Sequence, residues 1–561
     1  MRPKPAELEM QLGSVFDPRN PFSFGEIMRL DESESFPTAQ VAQLQQLDQH
    51  LTMFPSALGG DLQNYGQLIE PIKCIGRRDL TTLIAQGKNF LGSLPVLLFG
   101  QPQQQIAAQK ILRAGGQISL AVTEHESGSD LLATGTTATR TATGWRLDGN
   151  KWLINNIETS SLCSVLAMAG PENGPKRLSL FAVPLSLQSS KVSFGHKIPT
   201  VGVRGMRMNS IEFSGLEIGQ DSILQKEGLG FSQILTTFQV SRGLCSVLGL
   251  GAVETALRVV TEFVLRRELY GQGLSENTVV QDKLSELHLH YLSLEIVARF
   301  ATRALTTLPE EMSTISAFTK FYLPLMSEWI VAELAVILGA RSYLRDTWCS
   351  GIFQKIKRDI ALVSIFDGSS QVNLYILANQ LPALLASASD LSSRSPRSAQ
   401  DLLATFDSQV EIGFPDFSRF RLTNRGDFSL FTVLGSLNLE AELGLWRDWL
   451  MGELKLLKTS LKDFSEQPAR FIQAQKFCFL STAACVLLNQ KRGTKLSDES
   501  FQSLMLLLRG KISGPNLSIR TTLPAALFQQ LRHRVEKDLN LGLESYVIAP
   551  WYQQPKEIDF E

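Results

Sequence analysis

The apolar residues of this 561-residue chain change their period twice, and nothing else in the sequence constrains the fold as much. Up to about residue 115 they recur at threes and fours, as in Leu80, Leu83 and Ile84 and again in Leu91, Leu94 and Leu98, the spacing of one helix face. Between about 116 and 225 they form short alternating or apolar runs, such as Ile118 to Val122 and Leu178 to Val183. Turn-forming clusters such as Gly170-Pro171-Glu172-Asn173-Gly174-Pro175 separate these runs, which is the pattern of a small antiparallel β domain. From 226 to 385 the helical period returns, with one long stripe from Leu244 to Leu269. A serine-rich stretch, 386–398, reads as a linker, and 400–561 is helical again. The prediction is an α+β, mostly α chain in four parts: a helical domain at 1–115, a β domain at 116–225, a helical bundle at 226–385 and a helical extension at 400–561. A chain of this length is too long for a single core.

Charge and composition remove several function classes. A net charge of −1 gives no electrostatic case for nucleic acid. The six cysteines form no CxxC pair, and His288 and His290 lie two apart in a helical pattern, so no metal site is expected. The N-terminus lacks an apolar signal segment, and no uninterrupted apolar run reaches the ~18 residues of a membrane span. A reducing, cytoplasmic location is the expectation.

Two segments carry the chemistry. The first is Ala121-Val122-Thr123-Glu124-His125-Glu126-Ser127-Gly128-Ser129-Asp130, and the second is Gly149-Asn150-Lys151-Trp152-Leu153-Ile154-Asn155-Asn156. They resemble the flavin-binding strands of the acyl-CoA dehydrogenase family, A-x-T-E-x-x-x-G-S-D followed by G-x-K-x-W-I-T-N. The resemblance covers about residues 55–385. It implies that family's fold, namely a helical domain, a central antiparallel β domain and a four-helix bundle. It also implies FAD as cofactor. In the family's terms Val122 and Thr123 meet the isoalloxazine edge and Ser129 the pyrophosphate. Leu153 stands where the family has tryptophan, and Asn155 where it has the threonine near flavin N5. Trp152 is one place early, on the opposite strand face unless the strand slips, and is read as a core or interface aromatic. His125 replaces a common proline and is read as a solvated loop residue.

Further along, Arg267-Glu268-Leu269-Tyr270-Gly271 resembles the family's R-x-x-F-G, whose arginine reaches the FAD pyrophosphate of a neighbouring subunit. Arg267 and Tyr270 are therefore cofactor candidates, and at least a homodimer, or a dimer of dimers, is implied. The family glutamine beyond this glycine is Thr278 here, with Gln281 three residues on. Gly339 falls in a segment similar to the family's adenosine-side loop, and its plain reading is a helix cap. The stretch Arg358-Asp359 to Asn373 resembles R-D-…-Y-E-G-T-x-x-I-Q. The family's catalytic glutamate becomes Asp367, a carboxylate of similar intrinsic basicity whose reach is one methylene shorter. The family threonine that bonds the flavin becomes Ser369. The alternative family base, a glutamate before an arginine, is absent because that pair is Ser241-Arg242. Arg242 helps order the site in the family.

The implied reaction is removal of the α-proton of an acyl thioester by Asp367 and of the β-hydride by flavin N5. The carrier is coenzyme A or an acyl-carrier protein, and the electron acceptor an electron-transfer flavoprotein or oxygen. The altered neighbours of N5 also suit an oxidase or monooxygenase, and the departures from pattern a non-catalytic scaffold. Very-long-chain members carry a C-terminal helical extension of similar size. The stripe Leu443, Trp446, Leu450, Leu454, Leu457, Leu461 and Phe464 is read as core rather than as a membrane-surface helix, and Phe479 to Leu488 as a buried helix.

Overall fold

In the computed structural model, which describes residues 3–56, 59–170, 174–185, 189–346, 348–387, 396–460, 467–513 and 522–551, the central strands form one seven-stranded sheet. The strands are β1 (Gln117–Ala121), β2 (Thr137–Arg140), β3 (Gly144–Asn155), β4 (Ser160–Met168), β5 (Leu178–Pro184), β6 (Val192–Phe194) and β7 (Met208–Gly219). Their order is β1-β4-β2-β3-β7-β6, with β5 also paired to β4. The expected antiparallel sheet is corrected to a mixed one, because β4 runs parallel to β1 and to the start of β2. Between β1 and β4 the chain first builds the β2–β3 hairpin, and only a connection of that length lets two strands run parallel. Alternation then fixes the core. Trp145 and Leu147 on β3 point inward while Arg146 is exposed. The Trp145 ring meets Phe181 edge-on, with centroids 5.3 Å apart.

The chain divides into two compact units. The sheet belongs to the unit made of 29–63 and 81–241. Its helix Leu80–Phe99 keeps Pro95 in its interior and lies close on β1. A Cβ at Gly92 would fall 2.1 Å from the Ile118 carbonyl oxygen, so only glycine allows that approach.

The other unit, 3–28, 64–80 and 242–561, is helical. The stripe from Leu244 to Leu269 is not one helix. Helix Gly230–Cys245 ends and Leu250–Arg266 begins after a short break. Leu250–Arg266, Thr278–Thr307 and Ser370–Ser387 each pack against Met312–Leu338. Three helical stretches, Gly230–Arg266, Pro309–Ser342 and Pro468–Arg492, are long and apolar enough to cross a membrane, which corrects the expectation drawn from uninterrupted runs. In each, most of the apolar window is buried within the protein.

The C-terminal helices join this unit directly. Gln467–Arg492 packs on Ser370–Ser387 and Thr278–Thr307, burying Phe477, Cys478, Leu480 and Ala483 to Leu488. In Ala441–Ser460 the buried side of the stripe is Leu450, Leu454 and Leu457, whereas Leu461 and Phe464 lie outside the described residues. Most of the expected linker, 388–395, lies outside them too.

A buried polar knot joins distant parts of the helical unit. Arg77 donates to Glu9 Oε1 at 2.6 Å and to Glu254 Oε2 at 2.7 Å. Lys73 Nζ lies 3.1 Å from Glu295 Oε2. The backbone N–H groups of Leu541 and Leu543 donate to Glu254 and Glu295 at 2.8 and 3.1 Å, and the Tyr546 hydroxyl donates to Glu70 at 2.7 Å. Buried charges persist only when paired and hydrogen-bonded, and the extension supplies part of that pairing.

Candidate active site

In the β unit the two quoted motifs are held together by one ion pair. Lys151, fully buried on β3, donates to the Val122 carbonyl at 3.1 Å and to Glu124 Oε1 at 2.7 Å. The Glu124 carboxylate also accepts from Thr136 N and Oγ1 at 3.0 and 2.6 Å and from Gly135 N at 2.7 Å. Burial works to raise the Glu124 pKa, but the Lys151 charge and these hydrogen bonds hold it down at about 2. Burial pulls Lys151 down to about 8, with Glu124 opposing. Gly149 belongs to the same device. Its φ is +138°, and a Cβ there would come within 2.7 Å of the Thr136 Cα.

Beyond Lys151 the strand does slip. Lys151 pairs with Ile211 and Ile154 with Asn209, so three steps on β3 face two on β7. The extra residue makes a bulge, and Leu153 takes a left-handed φ of +59°. Trp152 is accordingly not in the sheet core. It is half-buried, its backbone N–H donates to the Thr123 carbonyl at 2.9 Å, and its ring lies 5.1 Å from that of His125. His125, read as merely solvated, also bonds Glu126 Oε1 at 2.9 Å.

The structure thus gathers Val122, Thr123, Lys151 and Trp152 at one place. Ser129 is exposed in the following loop, which Asp130 closes by accepting from Leu132 N. Asn155 receives the Ser119 hydroxyl on its carbonyl at 2.7 Å, and its side-chain oxygen is buried with no hydrogen-bond partner among the described residues.

In the helical unit the base candidate is gripped from several sides. Asp367 has a left-handed φ of +56° and Gly368 one of +89°. Arg242 Nε donates to the Asp367 carbonyl at 2.8 Å, and a Cβ on Gly368 would fall 2.7 Å from Arg242 Nη2. Burial pushes Arg242 down to about 10, with the Asp367 charge opposing. The Asn373 side-chain amide donates to the carbonyls of Gly368 and Ser369, each at 2.9 Å. Upstream, Lys320 Nζ donates to the Val363 carbonyl and lies 4.6 Å from the Phe366 ring centroid. The Asp367 carboxylate accepts at Oδ2 from Cys245 Sγ at 2.9 Å, a contact absent from the sequence reading. Ser369 Oγ accepts from Val372 N at 3.3 Å and so caps the helix that follows. The Asp359 of the R-D pair serves structure. Lys355 Nζ bridges it, at 2.5 Å, to Asp79 at 2.7 Å.

The remaining candidates lie on a hairpin and at a helix end of this unit. Arg267 leads into a hairpin of Glu268–Leu269 and Gln272–Gly273. Its two turn residues, Tyr270 and Gly271, both have positive φ, as a tight two-residue turn requires. Tyr270 is fully exposed there. Gln281 donates to the Ser275 carbonyl at 2.7 Å. Gly339 caps Met312–Leu338 with φ +64°, and next to it the Arg341 guanidinium lies 5.5 Å from the Phe263 ring, near the start of the hairpin.

A mixed sheet with a pinned polar loop, followed along the chain by a helical bundle presenting a clamped carboxylate, is the arrangement that the resemblance to the acyl-CoA dehydrogenase class implies. A family model described as "Acyl-CoA dehydrogenase, middle domain" matches residues 119–216, and one described as "Acyl-CoA dehydrogenase, C-terminal domain" matches 228–381. Across these segments the chain matches the acyl-CoA dehydrogenase family, whose cofactor is FAD.

Human mitochondrial short-chain specific acyl-CoA dehydrogenase is 27% identical over 359 residues, 63% of this chain and 84% of that protein. An acyl-CoA dehydrogenase from Bacillus anthracis, solved in complex with FAD, superposes with a TM-score of 0.69 at 16% identity, over 94% of this chain and 95% of that one. Its coverage takes in the C-terminal helices. The prolyl acyl carrier protein oxidase AnaB superposes with a TM-score of 0.58 at 19% identity, over 65% of this chain and 99% of that one.

The residues present fit FAD. The orphaned Asn155 oxygen is an acceptor that an isoalloxazine N–H would satisfy. The loop residues Gly128, Ser129 and Asp130 are exposed.

Proposed function

We propose that the chain is an FAD-dependent acyl-thioester dehydrogenase in which Asp367 removes the α-proton. The observation that carries this reading is the Asp367 loop. Arg242 holds its backbone, Cys245 holds one carboxylate oxygen, and the side chain stays half-buried. A base must keep one oxygen available in a fixed place, and this loop meets that need.

In the β unit Val122, Thr123, Ser129, Leu153 and Asn155 would hold the cofactor, with Trp152 beside Thr123. In the helical unit Arg267, Tyr270, Gly339 and Ser369 are the candidates. FAD, when bound, supplies the acceptor for the β-hydride. The exposed hairpin of Arg267 and Tyr270 suits a role toward a second subunit, as in a homodimer. The substrate favoured is an acyl-CoA, as in the relatives' names, with an electron-transfer flavoprotein as acceptor. A reducing, cytoplasmic setting suits six cysteines none of which forms a disulfide.

A second reading, an oxidase acting on an acyl-carrier protein, draws on the bulged backbone at Leu153, where the family has tryptophan, and on the AnaB likeness. Anaerobic titration with saturated acyl-CoAs of increasing length, following flavin absorbance, separates the two. Bleaching that persists until an electron-transfer flavoprotein is added supports the dehydrogenase. Bleached enzyme that recovers at once in air supports the oxidase. A flavin that no acyl-CoA bleaches overturns the acyl-CoA reading.

A further inference from the structure

We propose that Cys245 is a positioning residue for the proton-abstracting carboxylate, a proposal that rests on the reading of Asp367 as the base. Arg242 and Cys245 are three residues apart at the end of helix Gly230–Cys245, so they share a helix face. That face meets the base loop twice. Arg242 bonds the Asp367 backbone, and Cys245 Sγ lies 2.9 Å from Oδ2.

The two contacts do different things. The guanidinium and the close approach at Gly368 fix where the loop runs, but a carboxylate one methylene shorter than the family glutamate still has to be aimed. The thiol aims it. An S–H donor is uncharged, so it orients Oδ2 without pairing the carboxylate with a full positive charge, and it leaves Oδ1 to receive the α-proton. A lysine or arginine at 245 would instead bind the carboxylate as an ion pair.

Cys245 also differs from the other cysteines. Cys74, Cys163, Cys349, Cys478 and Cys485 are all buried, and burial raises the pKa of each, as expected of inert core thiols. Cys245 alone is partly exposed.

The test uses FAD-loaded full-length protein and the saturated acyl-CoA that best bleaches the wild type. Cys245→Ala is expected to slow single-turnover bleaching by about 10- to 100-fold, the range for a reacting group displaced by up to 1 Å. FAD content and acyl-CoA affinity should be retained. Cys245→Ser, which keeps a donor, should restore the rate to within a few-fold. Infrared difference spectra give a readout that does not depend on turnover. The S–H stretch lost in Cys245→Ala should lie at low frequency in the wild type and move up in Asp367→Ala.

Wild-type bleaching by Cys245→Ala, while Asp367→Ala does not bleach, overturns the role of Cys245 and leaves the base assignment standing. Wild-type bleaching by Asp367→Ala overturns the base assignment and this proposal with it. Equal losses in Cys245→Ser and Cys245→Ala overturn positioning by a donor. If Cys245→Ala does not fold, an S–H band in Cys245→Ser difference spectra that is unmoved by Asp367→Ala overturns the proposal.

Discussion

Lys151 Nζ lies 2.7 Å from Glu124 Oε1 and 3.1 Å from the Val122 carbonyl, so one buried cation locks the β1–β2 loop to β3. Removing one partner of a buried pair leaves the other uncompensated, at a cost of about 3–5 kcal/mol. Lys151→Ala is therefore expected to lower the unfolding free energy by that amount in urea titrations and to reduce copurified FAD. Wild-type stability with full FAD would show that the pair does not hold the loop.

Asp367 is the second test. Loss of a general base typically costs about 10²–10⁴ in rate. Asp367→Asn should lose flavin bleaching by acyl-CoA by that factor, with its visible spectrum and FAD content unchanged, because the groups gripping the loop bond the Asp367 backbone and its neighbours. Asp367→Glu restores the family side chain but displaces the carboxylate from Cys245. It is expected to be slower than wild type yet clearly faster than Asp367→Asn in stopped-flow absorbance.

Much of this architecture was legible in the sequence, because periodicity of apolar residues is local. The order helix, sheet, helix follows from it, as does the buried helix around Phe479 to Leu488. What was not legible depends on distance along the chain or on backbone detail. The bulge at Trp152 and Leu153 carries no glycine to announce it, so the strand reads as regular, and the slip that takes Trp152 out of the sheet core does not show. The parallel pairing of β1 with β4 depends on which strands meet after a long connection. Cys245 and Asp367 are 122 positions apart, and neither residue type signals the other. Glu9, Arg77, Glu254 and Tyr546 look like ordinary surface residues until the fold brings them together. The one long-range signal was the motif pair itself, since T-E and G-x-K mark the two ends of the Glu124–Lys151 bond.

The C-terminal segment is expected to be inseparable from the helical unit. A Cβ on Gly542 would fall 2.1 Å from Glu295 Oε2 and 2.5 Å from Lys73 Nζ, both buried. Gly542→Ala must push that ion pair apart, so a loss of about 2–4 kcal/mol is predicted from overpacking and disrupted pairing. A chain ending at residue 538 loses the N–H donors to Glu254 and Glu295 and the Tyr546 hydroxyl. It should be insoluble or expanded by circular dichroism and size exclusion. A soluble, FAD-loaded truncation would show that the extension is only an appendage.

The same knot sets the response to acid. Burial alone would raise Glu9 and Glu254, but Arg77 and Arg78 hold Glu9 at about 2, and Arg77 and Lys73 hold Glu254 at about 2. Both values are below the ordinary 4.5, so the folded state binds fewer protons than the unfolded chain. Their stabilisation is complete above pH 4.5 and is lost as pH falls through 2, at roughly 3 kcal/mol each. Burial lowers His288 to about 4 and His290 to about 3, which adds loss of the same sign from pH 6.5 downward. Glu262 acts in the opposite sense. Burial raises it to about 7, so its contribution is present below pH 4.5 and lost as pH rises through 7. Urea midpoints measured across this range should fall from pH 6 to pH 3. Glu254→Gln should make that acid slope shallower while lowering stability at pH 7. Glu262→Gln should leave the acid slope in place and raise stability above pH 7, and a variant that is less stable there would mean that the Arg258 and Arg266 charges depend on Glu262.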